Sequence, residues 1–229
     1  SLEAGKSTTY IGMHIKHTNS LKELITFNLD KRMYNVAKFK VWLESNENTP
    51  FPVKMLVLES GALSAILYGS ETWGNLCSIS KKLLTIELTL LKYALGVKQS
   101  TTNDLVYQEI KRGDILAKIQ DRQAKFISKV NDLSEAEAVV KCVWNRVQHL
   151  KIAGYYNSLH NNNVEINKSS RLDRLENSIR SMDVRYKDTI GLNSENCLYT
   201  SYVDDSQRKT ITRWRMSNHR LAIETGRYK

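Results

Sequence analysis

The sequence predicts a mainly α-helical bundle with a small N-terminal β-hairpin. Three observations carry this. The 229 residues include only 2 Pro and 10 Gly, too few breakers for a many-turned sheet protein. Apolar residues recur at spacings of three and four along most of the chain. One stretch, from Pro52 to Gly69, is apolar on most of its circumference, and such a helix has to be buried. It stops at the pair Tyr68-Gly69, with Trp73 close behind. A hydrophobic content of 41% supports one large domain or two small ones.

In order, Thr8 to Ile15 is rich in β-formers, His17 to Ser20 is polar turn material, and Leu21 to Phe27 is a second β-prone run. A hairpin is the simplest reading. Leu21, Leu24 and Ile25 also fit a helical face, so one long helix from Ser20 competes with it. Asn28 can cap the next helix, with Asp30 in its first turn. Leu29, Met33, Val36, Ala37, Lys40 and Leu43 share one side of that helix. Lys31, Arg32, Lys38 and part of Lys40 form a basic outer surface. Pro52 suits a first helical turn. Val53, Leu56, Val57, Leu63, Ile66 and Leu67 line the helix ending at Gly69. Ser78 or Ser80 caps a third helix with the stripe Leu83, Ile86, Leu90, Ala94, and Gly96 follows as its left-handed stop. A short helix runs from Asn103 to about Ile110, Gly113 breaks it, and Asp114 caps a helix with Ile115, Ile119, Phe126 and Val130 on one face. Ser134-x-x-Glu137 is a capping box. It opens a helix with Val139, Val140, Val143, Val147 and Leu150 on one side. Asn161 to Asn163 is the best boundary, dividing residues 1–160 from 161–229. Leu172, Leu175, Ile179, Met182 and Tyr186 make one further helix, stopped by Gly191. The last helix runs from about Ser206 to Thr225.

Lys and Arg number 34 against 24 Asp and Glu, a surplus of +10. It gathers at the two ends: residues 1–100 carry 12 against 8, and residues 151–229 carry 14 against 9. Such a balance attracts polyanions, nucleic acid first and an anionic membrane second. No run is long and apolar enough for a membrane span, and no signal-peptide layout opens the chain, so no membrane partner is expected. Cys77, Cys142 and Cys197 are odd in number and lack a C-x-x-C pair. They argue against a disulfide framework or a zinc site and for a reducing, intracellular compartment, cytoplasm and nucleus. Opening on Ser1, the chain reads as a piece cut from something longer.

Tyr202-Val203-Asp204-Asp205 has the form of the Tyr-x-Asp-Asp pair with which reverse transcriptases hold Mg²⁺. That geometry needs apolar strands on both sides, and S-Q-R-K-T follows here. The expectation is a helix start, with the acids favouring its dipole. Gly5-Lys6-Ser7 lacks the earlier glycine of a phosphate loop. His14, His17, His149, His160 and His219 show no metal spacing, and no nucleophile arrangement stands out. No catalytic or metal site is therefore expected. In the stretch Gln207 to Lys229, Ile211, Trp214 and Leu221 fall near one face. Arg208, Lys209, Arg213, Arg215 and Arg220 occupy much of the rest. Such a helix can neutralise phosphates and stack on a base. The bland alternative packs Trp214 into a core and leaves the arginines in water. A membrane-surface helix would need a wider apolar face.

The run I-L-Y-G-S-E-T-W closely resembles the thumb region of non-LTR retrotransposon reverse transcriptases. Tyr10-Ile11-Gly12 looks like that family's primer-grip element. Residues 29–95, with P-x-K-M-x-V-L and I-E-L-x-x-L-K-Y-A-L-G-V, look like its thumb, and Q-S-T-T-N-D-L-V-Y-Q-E continues the match. S-N-H-R-L-A-I-E-T-G-R-Y resembles the linker that leads into its zinc knuckle. The resemblance implies that residues 1–160 are primer-grip hairpin, thumb and helical extension, and that 161–229 are linker. It implies a grip on RNA, DNA or an RNA–DNA hybrid, with the palm and fingers of the same polyprotein as further partners. The Mg²⁺ of an RNA-directed DNA polymerase would belong to that palm, so this piece is expected to hold no cofactor and to be inactive alone. The expected nucleic-acid contacts are Tyr10, Gly12, Lys31, Lys38, Lys40, Arg208, Lys209, Arg213, Trp214, Arg215 and Arg220. Two rivals remain: a compact polymerase using Asp204 and Asp205, and a helical protein–protein module from a decayed element.

Overall fold

The computed structural model describes residues 7–10, 13–16, 21–74, 79–134, 139–146, 148–149, 156, 166–192 and 204–216, and among them the chain is mainly helical. Two short strands, β1 (Ser7–Tyr10) and β2 (Met13–Lys16), pair antiparallel. Then come α1 (Leu21–Ser45) and α2 (Phe51–Val57), which runs through a π-helical turn (Leu58–Leu63) into α3 (Ser64–Ile66). After a 3-10 turn (Ser70–Thr72) follow α4 (Ser80–Leu95), α5 (Asn103–Glu109), α6 (Ile115–Asp132) and α7 (Val139–Arg146). The last described elements are α8 (Ile166–Glu176), α9 (Ser181–Ile190) and α10 (Asp205–Arg215). Among the described residues no helix is long and apolar enough to cross a membrane.

The hairpin expected between Thr8–Ile15 and Leu21–Phe27 does not form, because Leu21 to Phe27 opens α1. Ile25, Leu29, Arg32, Val36, Phe39 and Leu43 are buried at spacings of three and four. That stripe extends the helical period back through the β-prone residues, and burial outweighs their local preference. Asn28, expected as a cap, lies mid-helix with its amide donating to the Leu24 carbonyl (2.9 Å).

The chain gathers into two units that each draw on three stretches. The first takes residues 1–35, 63–85 and 114–166, the second 36–62, 86–113 and 167–229. The boundary expected at Asn161–Asn163 lies outside the described residues.

The first unit is built around the corner Leu67 to Gly74. Gly69 (φ 72°) and Gly74 (φ 64°) take left-handed conformations that a Cβ would strain. So sharp a turn interrupts the α-helical bonding of its backbone carbonyls, and side chains supply further donors. Arg32 reaches the carbonyls of Tyr68 (2.7 Å) and Ile66 (3.4 Å). Arg122 reaches that of Leu67 (3.2 Å). The Gln123 amide bonds those of Ser70 (3.2 Å) and Gly74 (3.1 Å). The Tyr156 hydroxyl donates to Glu71 (2.6 Å) and accepts from the Gly74 amide (3.1 Å). Arg32 thus turns inward, against the expectation of a basic outer surface, and burial lowers its pKa. Trp73 is buried beneath the corner.

Asp114 caps α6 as expected, accepting from the Ala117 amide (2.9 Å). Behind it, Ile127, Val130, Trp144 and Tyr156 form one cluster, with Trp144 edge-on to Tyr156. Trp144 takes the inward side of α7. Val139, Val140 and Val143, expected to be its buried face, are exposed. The capping box at Ser134 and Glu137 and the positions Val147 and Leu150 are not all among the described residues.

In the second unit, α5 is buried on most sides. Tyr107 donates to Glu87 (2.7 Å) and Tyr186 to Glu109 (2.5 Å). The helix expected over Leu172 to Tyr186 is two helices, and Ile179 sits exposed in the loop between them. Leu56 is also exposed, although it was expected on a buried face. Counting back from Leu63 and Leu67 at a constant α period lands on Leu56 and Val53. The π turn carries an extra residue per turn, so the buried positions before it are Phe51, Lys54 and Leu58 instead.

Gly96 stops α4 as expected. Its amide and that of Val97 both bond the Lys92 carbonyl (3.0 and 3.1 Å), and its φ is 73°. A Cβ there would lie 3.1 Å from Lys209 Cγ. Gly96→Ala should therefore lower stability by about 1–2 kcal/mol, the cost of a left-handed L-residue. Gly61→Ala, at a helical position with open space around it, should be neutral or mildly stabilising. Urea melts of the two variants check the contrast.

Candidate nucleic-acid interface

The basic residues expected at the interface divide into two sets. The first lies on α1. Its buried stripe fixes the opposite side of the helix as the outward one, and Phe27, Lys31, Tyr34, Lys38 and Val41 recur there at steps of four, three, four and three. All five are exposed; Tyr34 is 65% exposed, Val41 61% and Phe27 42%. The Lys31 ammonium stands 4.7 Å from the centre of the Phe27 ring. Lys40, half-buried, stands 4.8 Å over the exposed ring of Tyr93. Sequence reasoning missed Phe27, Tyr34 and Val41. Their signal was the same four–three spacing, hidden because Phe27 was read as part of a strand.

The second set lies on α10, where Arg208 turns inward against the expectation of an outward basic face, and Trp214 is not packed into a core as the bland alternative had it. Asp205, Arg208, Thr212 and Met216 face inward, while Ile211 and Trp214 are exposed. Asp204 caps the helix, accepting from the amides of Ser206 (3.1 Å) and Gln207 (3.2 Å). These bonds, and foremost the one from the Ser206 hydroxyl, hold its carboxyl below the usual carboxylate range.

Asp205 is enclosed by three cations: Lys54 at 2.5 Å, Arg208 at 2.8 Å and Lys209 at 3.0 Å. Burial pushes its carboxyl upward. The bond from Lys54 and the charge and bonds of Arg208 and Lys209 outweigh that and hold its pKa down. Lys54 moves down as well, first from burial and then because Arg208 and Lys209 crowd it, although Asp205 pulls the other way.

The rest of the basic face closes the end of α4. Arg208, 1% exposed, donates to the carbonyls of Leu95 (3.3 Å) and Ala94 (3.2 Å), with its guanidinium 4.8 Å from the Phe51 ring centre. Arg213 donates to the Gly96 carbonyl (2.8 Å). Cations at a helix C-terminus are favoured by its dipole, and here they also bond its last carbonyls. Arg215 pairs with Glu109 at 2.7 Å. Burial lowers its pKa, but the Glu109 charge outweighs this and the net shift is upward. Tyr186, beside the same carboxylate, moves up through burial and then that charge.

Arg208 and Arg215 are thus committed to the fold and are not presented to a phosphate. Lys209 is partly so. Arg213 and Trp214 are exposed. Tyr10 stands at the end of β1, while Gly12 and Arg220 lie outside the described residues.

A Mg²⁺ site at Asp204 and Asp205 does not fit: one carboxylate caps a helix and the other is enclosed by Lys54, Arg208 and Lys209. Among the described residues no three His, Cys, Asp or Glu side chains gather as a cation would require. Comparison with protein-family models, with curated proteins and with solved structures gives no match.

Proposed function

We propose that this chain is the nucleic-acid-binding thumb and linker of a retroelement RNA-directed DNA polymerase. It grips a template–primer through its backbone and carries no catalytic residue. The outward face of α1 supports this most directly, because it offers Lys31 and Lys38 to a polyanion. The surplus of +10 and the ordered likeness of the motifs to such thumbs support it further. The fastened corner at Leu67 to Gly74 gives the L-Y-G-S-E-T-W run a structural role: a turn whose carbonyls are met by side chains of α1 and α6.

The test is a salt titration with an RNA–DNA primer–template. Each phosphate neutralised contributes about 0.9 to the slope of log affinity against log salt. Three contacts would then weaken binding about 40-fold between 50 and 200 mM salt. Binding that stays flat over that range counts against the reading. Deleting α10 is not a clean test, because Asp205 and Arg208 are core residues.

A second reading, a helical protein–protein module, draws on the exposed Val139, Val140 and Val143 of α7 and on Leu133. It would be favoured by a chain that does not bind nucleic acid at low salt.

A further inference from the structure

We propose that the outward face of α1 binds single-stranded nucleic acid, stacking unpaired bases on Phe27 and Tyr34 while Lys31 and Lys38 meet the flanking phosphates. This deepens the nucleic-acid reading above and rests on it only for the class of ligand. A grip on duplex backbone needs cations alone. It gives no reason for two aromatic rings to be exposed, one with Lys31 beside it, directly opposite the buried stripe Ile25, Leu29, Val36, Phe39 and Leu43. Rings alternating with lysines are what a single strand uses, because every unpaired base offers a π-face and every nucleotide a phosphate.

The spacing fits. Phe27 and Tyr34 are seven residues apart on one helix, as are Lys31 and Lys38. At 1.5 Å per residue each pair spans about 10 Å along the helix, enough to separate two bases of one strand. The two rings would therefore take separate bases of one strand, with the lysines staggered between and beyond them. An apolar protein partner fits less well, because a lysine would interrupt its contact on every second turn.

The measurement is fluorescence anisotropy of the full chain with a labelled oligo-dT of eight nucleotides and with a blunt duplex of similar length. The substitutions are Phe27→Ala and Tyr34→Ala, singly and together, and Lys31→Gln with Lys38→Gln. All four positions are exposed, and thermal melts check that the fold is kept. Each alanine should weaken the single strand by about 5- to 100-fold, the usual worth of one stacked base, and change duplex binding less than twofold. The lysine pair should lower the single-strand salt slope by about 1.4, at roughly 0.7 per phosphate. Single-strand binding within twofold of wild type in the double alanine variant overturns the inference, and so does an equal loss for strand and duplex. A chain that ignores duplex but holds oligo-dT through Tyr34 sinks the thumb reading and leaves this one standing. The reverse result does the opposite.

Discussion

Asp205→Ala should lower stability by about 3–5 kcal/mol, the usual cost of removing one partner from a buried ion pair. The reason is the arithmetic of charge around it. One carboxylate serves Lys54, Arg208 and Lys209, and both it and Lys54 are almost fully buried. Without it, Lys54 and Arg208 stay enclosed and lose the carboxylate that offsets their desolvation. Lys54→Met should cost much less. It removes one of three cations, a buried one whose pKa is lowered by burial first and by its crowded neighbours second, and leaves Asp205 paired. It gives up the Lys54–Asp205 pair and the bond from Lys54 to the Glu47 carbonyl (2.7 Å).

The pH dependence follows in sign. The Asp205 carboxyl is held below its unfolded value. Its contribution is therefore fully present above about pH 4 and is lost as pH falls through the folded pKa. Lys54, also shifted down, acts with the same sign in a higher window: stability rises as pH climbs through its folded pKa toward the unfolded value near 10.4. Urea melts from pH 7 into acid should show an Asp205-dependent loss in the wild type that the alanine variant lacks. Equal costs for Asp205→Ala and Lys54→Met at pH 7 would sink this account.

That cluster also marks where the sequence stops being informative. The elements themselves were legible wherever the signal was local. Asp114 as a cap, Gly96 as a stop and α5 at Asn103 were all read from a few consecutive residues. So was the helix start at Asp204-Asp205. What could not be read is which face a helix buries when the buried face is polar. On α10 the basic residues are expected outside beside Trp214, yet Asp205, Arg208 and Thr212 face inside. Their partners Lys54, Ala94 and Leu95 are more than a hundred residues away. Arg32 repeats the lesson on α1, since its carbonyl acceptors lie 34 and 36 residues on. The basic surplus was therefore read correctly as a number and incorrectly as a surface. Several of the cations assigned to nucleic acid hold the fold, and the lysines left outside stand among rings that went unnoticed.

Gln123→Leu should cost about 1–3 kcal/mol, although leucine is nearly the same size and more apolar. The Gln123 side chain is fully buried, and its amide nitrogen bonds two carbonyls of the corner, Ser70 at 3.2 Å and Gly74 at 3.1 Å. Leucine would remove that donor from the Gly74 carbonyl, at about 1–3 kcal/mol for a buried acceptor, while the Ser70 carbonyl keeps its bond from the Trp73 amide. The extra apolar burial of leucine recovers part of this. Because Gly69 and Gly74 already hold the chain in left-handed conformations, the corner has little freedom to turn its carbonyls toward another donor. Gln123→Glu should be worse, since a carboxylate cannot donate and would face two carbonyl oxygens. Arg122→Ala, removing a half-exposed donor to the Leu67 carbonyl, should cost less than either, because water can replace it. Urea melts rank the three. Hydrogen exchange at the amides of Thr72 and Trp73, which bond the Gly69 and Ser70 carbonyls, tests whether the loss is local to the corner. If Gln123→Leu melts within about 0.5 kcal/mol of wild type, inside the ordinary range for a surface substitution, the corner is held by its glycines and not by the side chains that reach it.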